Sequence, residues 1–153
     1  MTTDRPRITQ TMANFGHPRT QIAEYKWWSV LLRPKQVTLG SLILAAKCDV
    51  SSFGALPAEA VAELSRAARD IESALGAFCR FEKINYLMLM MTDPEPHFHV
   101  LPRYAGERRF ESFALPDPGW PGPPRLEAAV LPPEEISAGM ALALRAAWPA
   151  ASP

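Results

Sequence analysis

Alternation of apolar and polar positions sets the first elements of this chain. From Trp27 to Arg33 the period is two, with Trp28, Val30 and Leu32 on one face, as a half-buried strand requires. Pro34-Lys35-Gln36 interrupts the pattern, and Gly40 to Ala46 is a second apolar run. The two runs predict a hairpin-like pair, with Lys35 and Gln36 solvated in its turn. Pro57 then opens a helix, with Glu59 close behind to favour its N-terminus. Val61, Leu64, Ala68, Ile71, Leu75 and Phe78 follow at three- and four-residue steps, the apolar stripe of an amphipathic helix. Ile84 to Met91 reads as a third strand and His97 to Tyr104 as a fourth. The short Thr92–Pro96 link makes those two antiparallel neighbours. Glu134 to Trp148, carrying Ile136, Met140, Leu142 and Leu144, predicts a C-terminal helix. Strands grouped around one long helix make an α+β fold with an antiparallel sheet.

The ends of the chain read differently. Residues 1–20 are polar and uneven and predict a flexible N-terminal arm. Pro116, Pro118, Pro121, Pro123, Pro124, Pro132 and Pro133 punctuate residues 116–133. That stretch can hold neither a long helix nor a central strand, and it reads as an extended loop wrapped over the surface and pinned by Trp120. The folded domain is therefore placed at 21–110, with 111–153 as a Pro-rich wrap and C-terminal helix of the same domain. Formal net charge is zero over 153 residues, so no global field draws in nucleic acid or an anionic membrane. Cys48 and Cys79 are the only cysteines and have no Cys-x-x-Cys spacing, which predicts reduced core residues. No run reaches about 18 consecutive apolar residues, and no apolar run of signal type follows Arg5 and Arg7. The expectation is a cytoplasmic protein without a membrane span.

The chemistry lies in His97-Phe98-His99-Val100-Leu101-Pro102-Arg103-Tyr104. On a strand, His97, His99, Leu101 and Arg103 share one face, while Phe98, Val100 and Tyr104 point to the core. Two imidazoles and a guanidinium over a sheet suit phosphate chemistry. The same His-x-His pair could instead ligate a metal, completed by Asp93 or Glu95, although Arg103 on that face would repel a cation. Neither a phosphate-binding P-loop nor a dinucleotide fingerprint is present.

Asn85-Tyr86, the following spacer and His97–Tyr104 together resemble the signature end of the histidine-triad (HIT) family of nucleotide hydrolases and transferases. Val30-Leu31-Leu32-Arg33-Pro34-Lys35-Gln36-Val37-Thr38-Leu39-Gly40 resembles that family's first hairpin, and Asp117-Pro118-Gly119-Trp120-Pro121 resembles the tail of a bacterial subgroup. The resemblance spans roughly residues 25–105. It implies a HIT-like antiparallel sheet of about five strands, one long central helix and a homodimer. It also implies hydrolysis or transfer at the α-phosphate of a nucleotide, such as a dinucleoside polyphosphate or a nucleoside phosphoramidate. The family's middle histidine, the nucleophile that forms a nucleotidyl-histidine intermediate, falls on His97, and the last falls on His99. The first falls on Glu95, a departure. Met90-Met91 is a second departure, standing where some members carry Gly-Asn. Thr92 falls where relatives place a phosphate-binding hydroxyl, Arg103 follows the motif as in many relatives, and Asn85 could hydrogen-bond substrate.

Physical chemistry explains these residue types. A histidine attacks phosphorus only when neutral, with one ring nitrogen bare and the other held by an acceptor such as a backbone carbonyl. A covalent intermediate divides one difficult displacement into two easier ones. Phosphoryl oxygens need donors, which His99, Thr92 and backbone N–H groups supply. Glu95 could protonate the leaving group only if desolvated, and as an anion it would oppose phosphate binding. No cofactor is expected beyond any magnesium that the substrate carries. Two other readings remain open from the residues alone: a HIT-like protein that binds nucleotides with little catalysis, and a His-x-His metal enzyme.

Overall fold

The computed structural model of the chain describes residues 5–150. A five-stranded antiparallel sheet has the order β1-β2-β3-β5-β4, from β1 (Gln21–Glu24), β2 (Trp28–Leu32), β3 (Leu42–Ala46), β4 (Lys83–Leu87) and β5 (His97–Arg103). The expected hairpin is present as β2 and β3, with Val30 opposite Leu44. The expected antiparallel pairing of the last two strands is β4 with β5. Trp28, Val30, Leu32, Leu42, Leu44, Ala46 and Val100 form one face of the sheet, packed in a single core with Ile71 and Leu75 of α2 (Ala58–Cys79) and Ile136, Met140 and Leu144 of α3 (Glu134–Ala147). Ile71 and Leu75 are fully buried, and such burial stabilises by about 1.5–3 kcal/mol per side chain.

Several expectations need correction. Pro57 caps α2 rather than lying inside it. The buried stripe of α2 includes Ala60, Ala67, Ala74 and Cys79 beside Ile71 and Leu75, so Val61 stands exposed. Leu142 likewise faces outward on α3, where Ala141 is the buried neighbour. The third strand stops at Leu87 instead of Met91, because the chain turns at Met90, whose φ of 51° lies in the left-handed region. That conformation disfavours an L-residue by about 1–2 kcal/mol. Gln36 is not solvated. It is fully buried, accepting from the N–H groups of Gly40 and Ser41 and donating to the carbonyls of Arg33 and Ser41. Gly40 closes that turn with φ +93°, which favours glycine.

The N-terminal segment is packed rather than loose. Thr9 caps α1 (Gln10–Asn14) through its side chain, and Met12 is fully buried against Leu31, Ile43 and Ala45. Residues 1–4 of the expected arm and 151–153 of the expected wrap lie outside the described residues. A second hairpin, β6 (Glu107–Phe110) with β7 (Phe113–Pro116), was not foreseen. It leads into the Pro-rich stretch, which contains a one-turn helix at Leu126–Ala128 and a bridge between Gln36 and Val130. Cys48 and Cys79 are buried and unpaired with each other. No helix among the described residues is long and apolar enough to cross a membrane.

Candidate active site

Strand alternation places His97 and His99 on the sheet face opposite α2, in register with Ala45 and Ile43 of β3. Phe98 and Val100 turn to the core, as expected. The imidazole centroids are 5.2 Å apart. Phe15, which follows α1, packs over both, at 5.6 Å from His97 and 6.0 Å from His99. Under this ring His97 is only 2% exposed and His99 8%.

Hydrogen bonds hold the two rings in opposite tautomers. His97 Nδ1 lies 2.8 Å from the carbonyl oxygen of Glu95. A carbonyl only accepts, so Nδ1 carries a proton, and in the neutral ring Nε2 is the bare nitrogen. His99 Nδ1 accepts from Arg33 Nε at 3.3 Å. A guanidinium only donates, so the His99 proton sits on Nε2. Side by side stand one ring able to attack and one able to donate.

Burial foremost, then the Arg33 guanidinium and His97, push His99 down from 6.5 to about 4, against a smaller opposing effect of Asp93. Because the folded value lies below the unfolded one, the unfolded chain takes up this proton first. The contribution to stability is complete above about pH 6.5 and is lost as pH falls to about 4. The full loss is about 3 kcal/mol. Urea unfolding between pH 7 and pH 4 should show this decline, and His99→Gln should flatten that part of the profile.

The Glu95 side chain, two residues before His97, reaches α1. Its Oε1 accepts from Thr11 N at 3.0 Å and Thr11 Oγ1 at 2.9 Å. Asn14 Nδ2 donates to Asp93 Oδ1 at 2.8 Å. Two carboxylates of the loop before β5 thus clasp α1, and α1 carries Phe15 onto the histidines. The carboxylate of Glu95 serves here as an acceptor for α1. Glu95→Ala should loosen α1 and raise the rate at which diethyl pyrocarbonate modifies His97 by about tenfold, the effect of losing roughly 1.5 kcal/mol from hydrogen bonds to a charged group. Peptide mapping by mass spectrometry reads this directly, and an unchanged rate would show that the clasp does not control access.

The remaining expected site residues divide. Thr92 is exposed in the link before β5, next to Met91, which is 86% exposed. Arg103 and Asn85 are placed elsewhere. Arg103 lies four residues beyond His99, about 13 Å along the strand, and is buried. It donates to Asp117 at 2.7 and 3.1 Å, to Asn85 Oδ1 at 2.8 Å and to the Gly122 carbonyl at 2.8 Å. The Pro-rich wrap is therefore fastened by Asp117, with Trp120 half-buried at a cleft of about 390 Å³ beside Lys83, Asn85 and Arg103. Arg33, Thr11 and Phe15 were missed. Of these, Arg33 was within reach, since counting by two from Leu31 puts it on the histidine face. Among the described residues, no group of three or more His, Cys, Asp and Glu side chains is placed to hold a metal ion.

No protein-family model matches the sequence, and no curated protein matches it. Solved structures are similar in fold. A histidine triad protein from Sinorhizobium meliloti 1021 superposes with a TM-score of 0.71 at 21% identity, over 95% of this chain and 99% of that one. A histidine triad protein from Marinobacter aquaeolei VT8 gives 0.71 at 22% identity, over 94% and 96%. The Plasmodium falciparum diadenosine triphosphate hydrolase, solved with cyclomarin A, gives 0.61 at 11% identity, over 84% and 76%. Five antiparallel strands, the long α2, the C-terminal α3 and these superpositions together establish that this chain has the histidine-triad fold.

Proposed function

We propose that the protein is a nucleotide hydrolase or nucleotidyltransferase in which His97 Nε2 attacks an α-phosphorus. The observation that carries this reading is the hydrogen bond from His97 Nδ1 to the Glu95 carbonyl, which leaves Nε2 with a free lone pair facing the side of the sheet away from the core. Attack forms an Nε2–P bond and breaks the bond from phosphorus to the leaving group, which departs with a proton from solvent. The nucleotidyl-imidazolium keeps its Nδ1–H on the carbonyl, whose dipole favours the new positive charge. Water then attacks phosphorus, giving up a proton to solvent, the P–N bond breaks and the neutral ring returns. His99 Nε2–H donates to a phosphoryl oxygen, and the Thr92 hydroxyl is a second donor at the rim. Glu95 holds α1.

A second reading, nucleotide binding with little turnover, is favoured by one observation: Phe15 leaves His97 almost fully covered. A panel of diadenosine polyphosphates and adenosine phosphoramidate separates the two, because a binder shifts melting temperature without releasing product. In the covalent route no step needs a protein-bound metal. Turnover should therefore survive exhaustive chelation once substrate-borne magnesium is restored, and a requirement for stoichiometric zinc or manganese would contradict it.

The reading includes a homodimer and a cytoplasmic setting. The outer edge of β4 has no partner strand among the described residues, and such an edge is suited to pairing with a second copy. Free, buried cysteines accord with a reducing compartment.

A further inference from the structure

We infer that Arg33 is a positioning residue for this reaction, one that locks His99 in the Nε2–H tautomer and so makes it a permanent donor to the substrate phosphate. The inference rests on the nucleotide reading given above and assigns Arg33 a part in it. Three observations carry it. The Nε of Arg33 donates to His99 Nδ1 at 3.3 Å, and a guanidinium cannot accept, so a proton on Nδ1 would break the contact. The Arg33 side chain is itself held in place: one terminal nitrogen donates to the Lys35 carbonyl. Its backbone is fixed from both sides, with its N–H on the Ser41 carbonyl at 3.0 Å and its carbonyl accepting from buried Gln36 at 2.7 Å. Finally, the charge is not neutralised, because no carboxylate among the described residues forms an ion pair with Arg33.

The consequence is chemical. A free imidazole exchanges its proton between two nitrogens, and only one tautomer presents N–H to the substrate. Fixing that tautomer before substrate arrives avoids reorganisation when charge develops on the phosphoryl oxygens. His97 and His99 lie two residues apart on one strand, and without different partners nothing would make one a nucleophile and the other a donor. The Glu95 carbonyl selects the first role and the Arg33 guanidinium the second. An unneutralised cation one hydrogen bond from His99 also favours an anionic substrate over this face.

Long-range ¹H–¹⁵N correlation spectra of the full chain read the tautomer without substrate. In the native protein His99 should show an unprotonated Nδ1 and a protonated Nε2, and His97 the reverse. Arg33→Met should leave His97 unchanged and shift His99 toward a mixture of tautomers. The same variant should lower kcat by about 10- to 100-fold, less than the loss from deleting a preorganised donor outright. Arg33→Lys, which keeps a cationic donor, should recover part of both signals. An Arg33→Met protein whose His99 keeps the native tautomer would overturn the inference, as would one whose tautomer shifts while kcat does not. Because the spectra need no turnover, a native protein that cleaves no nucleotide would count against the hydrolase reading separately.

Discussion

Replacing His97 with alanine is expected to abolish nucleotide turnover while the chain still folds. The substitution deletes the only ring nitrogen of the site that is both bare and paired with a carbonyl across the ring. Removing a covalent nucleophile costs several orders of magnitude, roughly 10⁴-fold or more. The fold survives because the imidazole belongs to the face away from the main core, which is made by Phe98, Val100 and the residues of α2 and α3. The stability cost is that of an unpaired Glu95 carbonyl, about 1–3 kcal/mol. Product analysis by chromatography together with a thermal melt measures both. Nucleotide binding should persist, because His99 and the rest of the face are untouched. Turnover close to the native rate would show that His97 is not the nucleophile.

The largest effect on stability is expected at the opposite end of β5. Asp117→Ala strips the guanidinium of Arg103 of its counter-charge where the two side chains are 1% and 5% exposed. Breaking a buried pair on one side destabilises by about 3–5 kcal/mol, because the remaining charge is desolvated and alone. For a chain of this size the melting temperature should fall by about 10 °C or more. Asp117→Asn, which keeps an acceptor, should fall less. Changing both partners to apolar residues should recover much of the loss, because a buried pair contributes little net stability compared with a packed apolar replacement. A melt of Asp117→Ala within 2 °C of native, the size of a surface substitution of about 0.5 kcal/mol, would mean that the Pro-rich wrap is held by something else.

The parts of this structure that were legible in the sequence are those with a short period. Alternation placed His97 and His99 on one face and Phe98, Val100 and Tyr104 on the other. The three- and four-residue steps found α2, but the phase came out displaced. The buried row of α2 is built largely from Ala60, Ala67 and Ala74, and alanine carries too little hydrophobicity to outweigh Val61 in a pattern. The clasp on α1 was not legible. Its decisive contact joins Thr11 to Glu95, 84 residues away, and no local pattern announces a contact of that span. Arg103 misled for a related reason. It was correctly placed on the face of the histidines, but its partner Asp117 lies in a loop whose prolines hide any periodicity. Arg33 is legible in part: the alternation that marks β2 puts it beside Leu31 on the site face, and only the structure shows His99 within its reach.

The role of His97 is tested most directly by intact-mass analysis of the native protein after brief incubation with adenosine phosphoramidate or diadenosine polyphosphates, followed by peptide mapping. The expected result is a nucleotidyl adduct on the peptide containing His97, localised to that residue, absent in His97→Ala and lost with time as product appears. Turnover without any adduct, or an adduct on a residue other than His97, would contradict the covalent route through His97 Nε2.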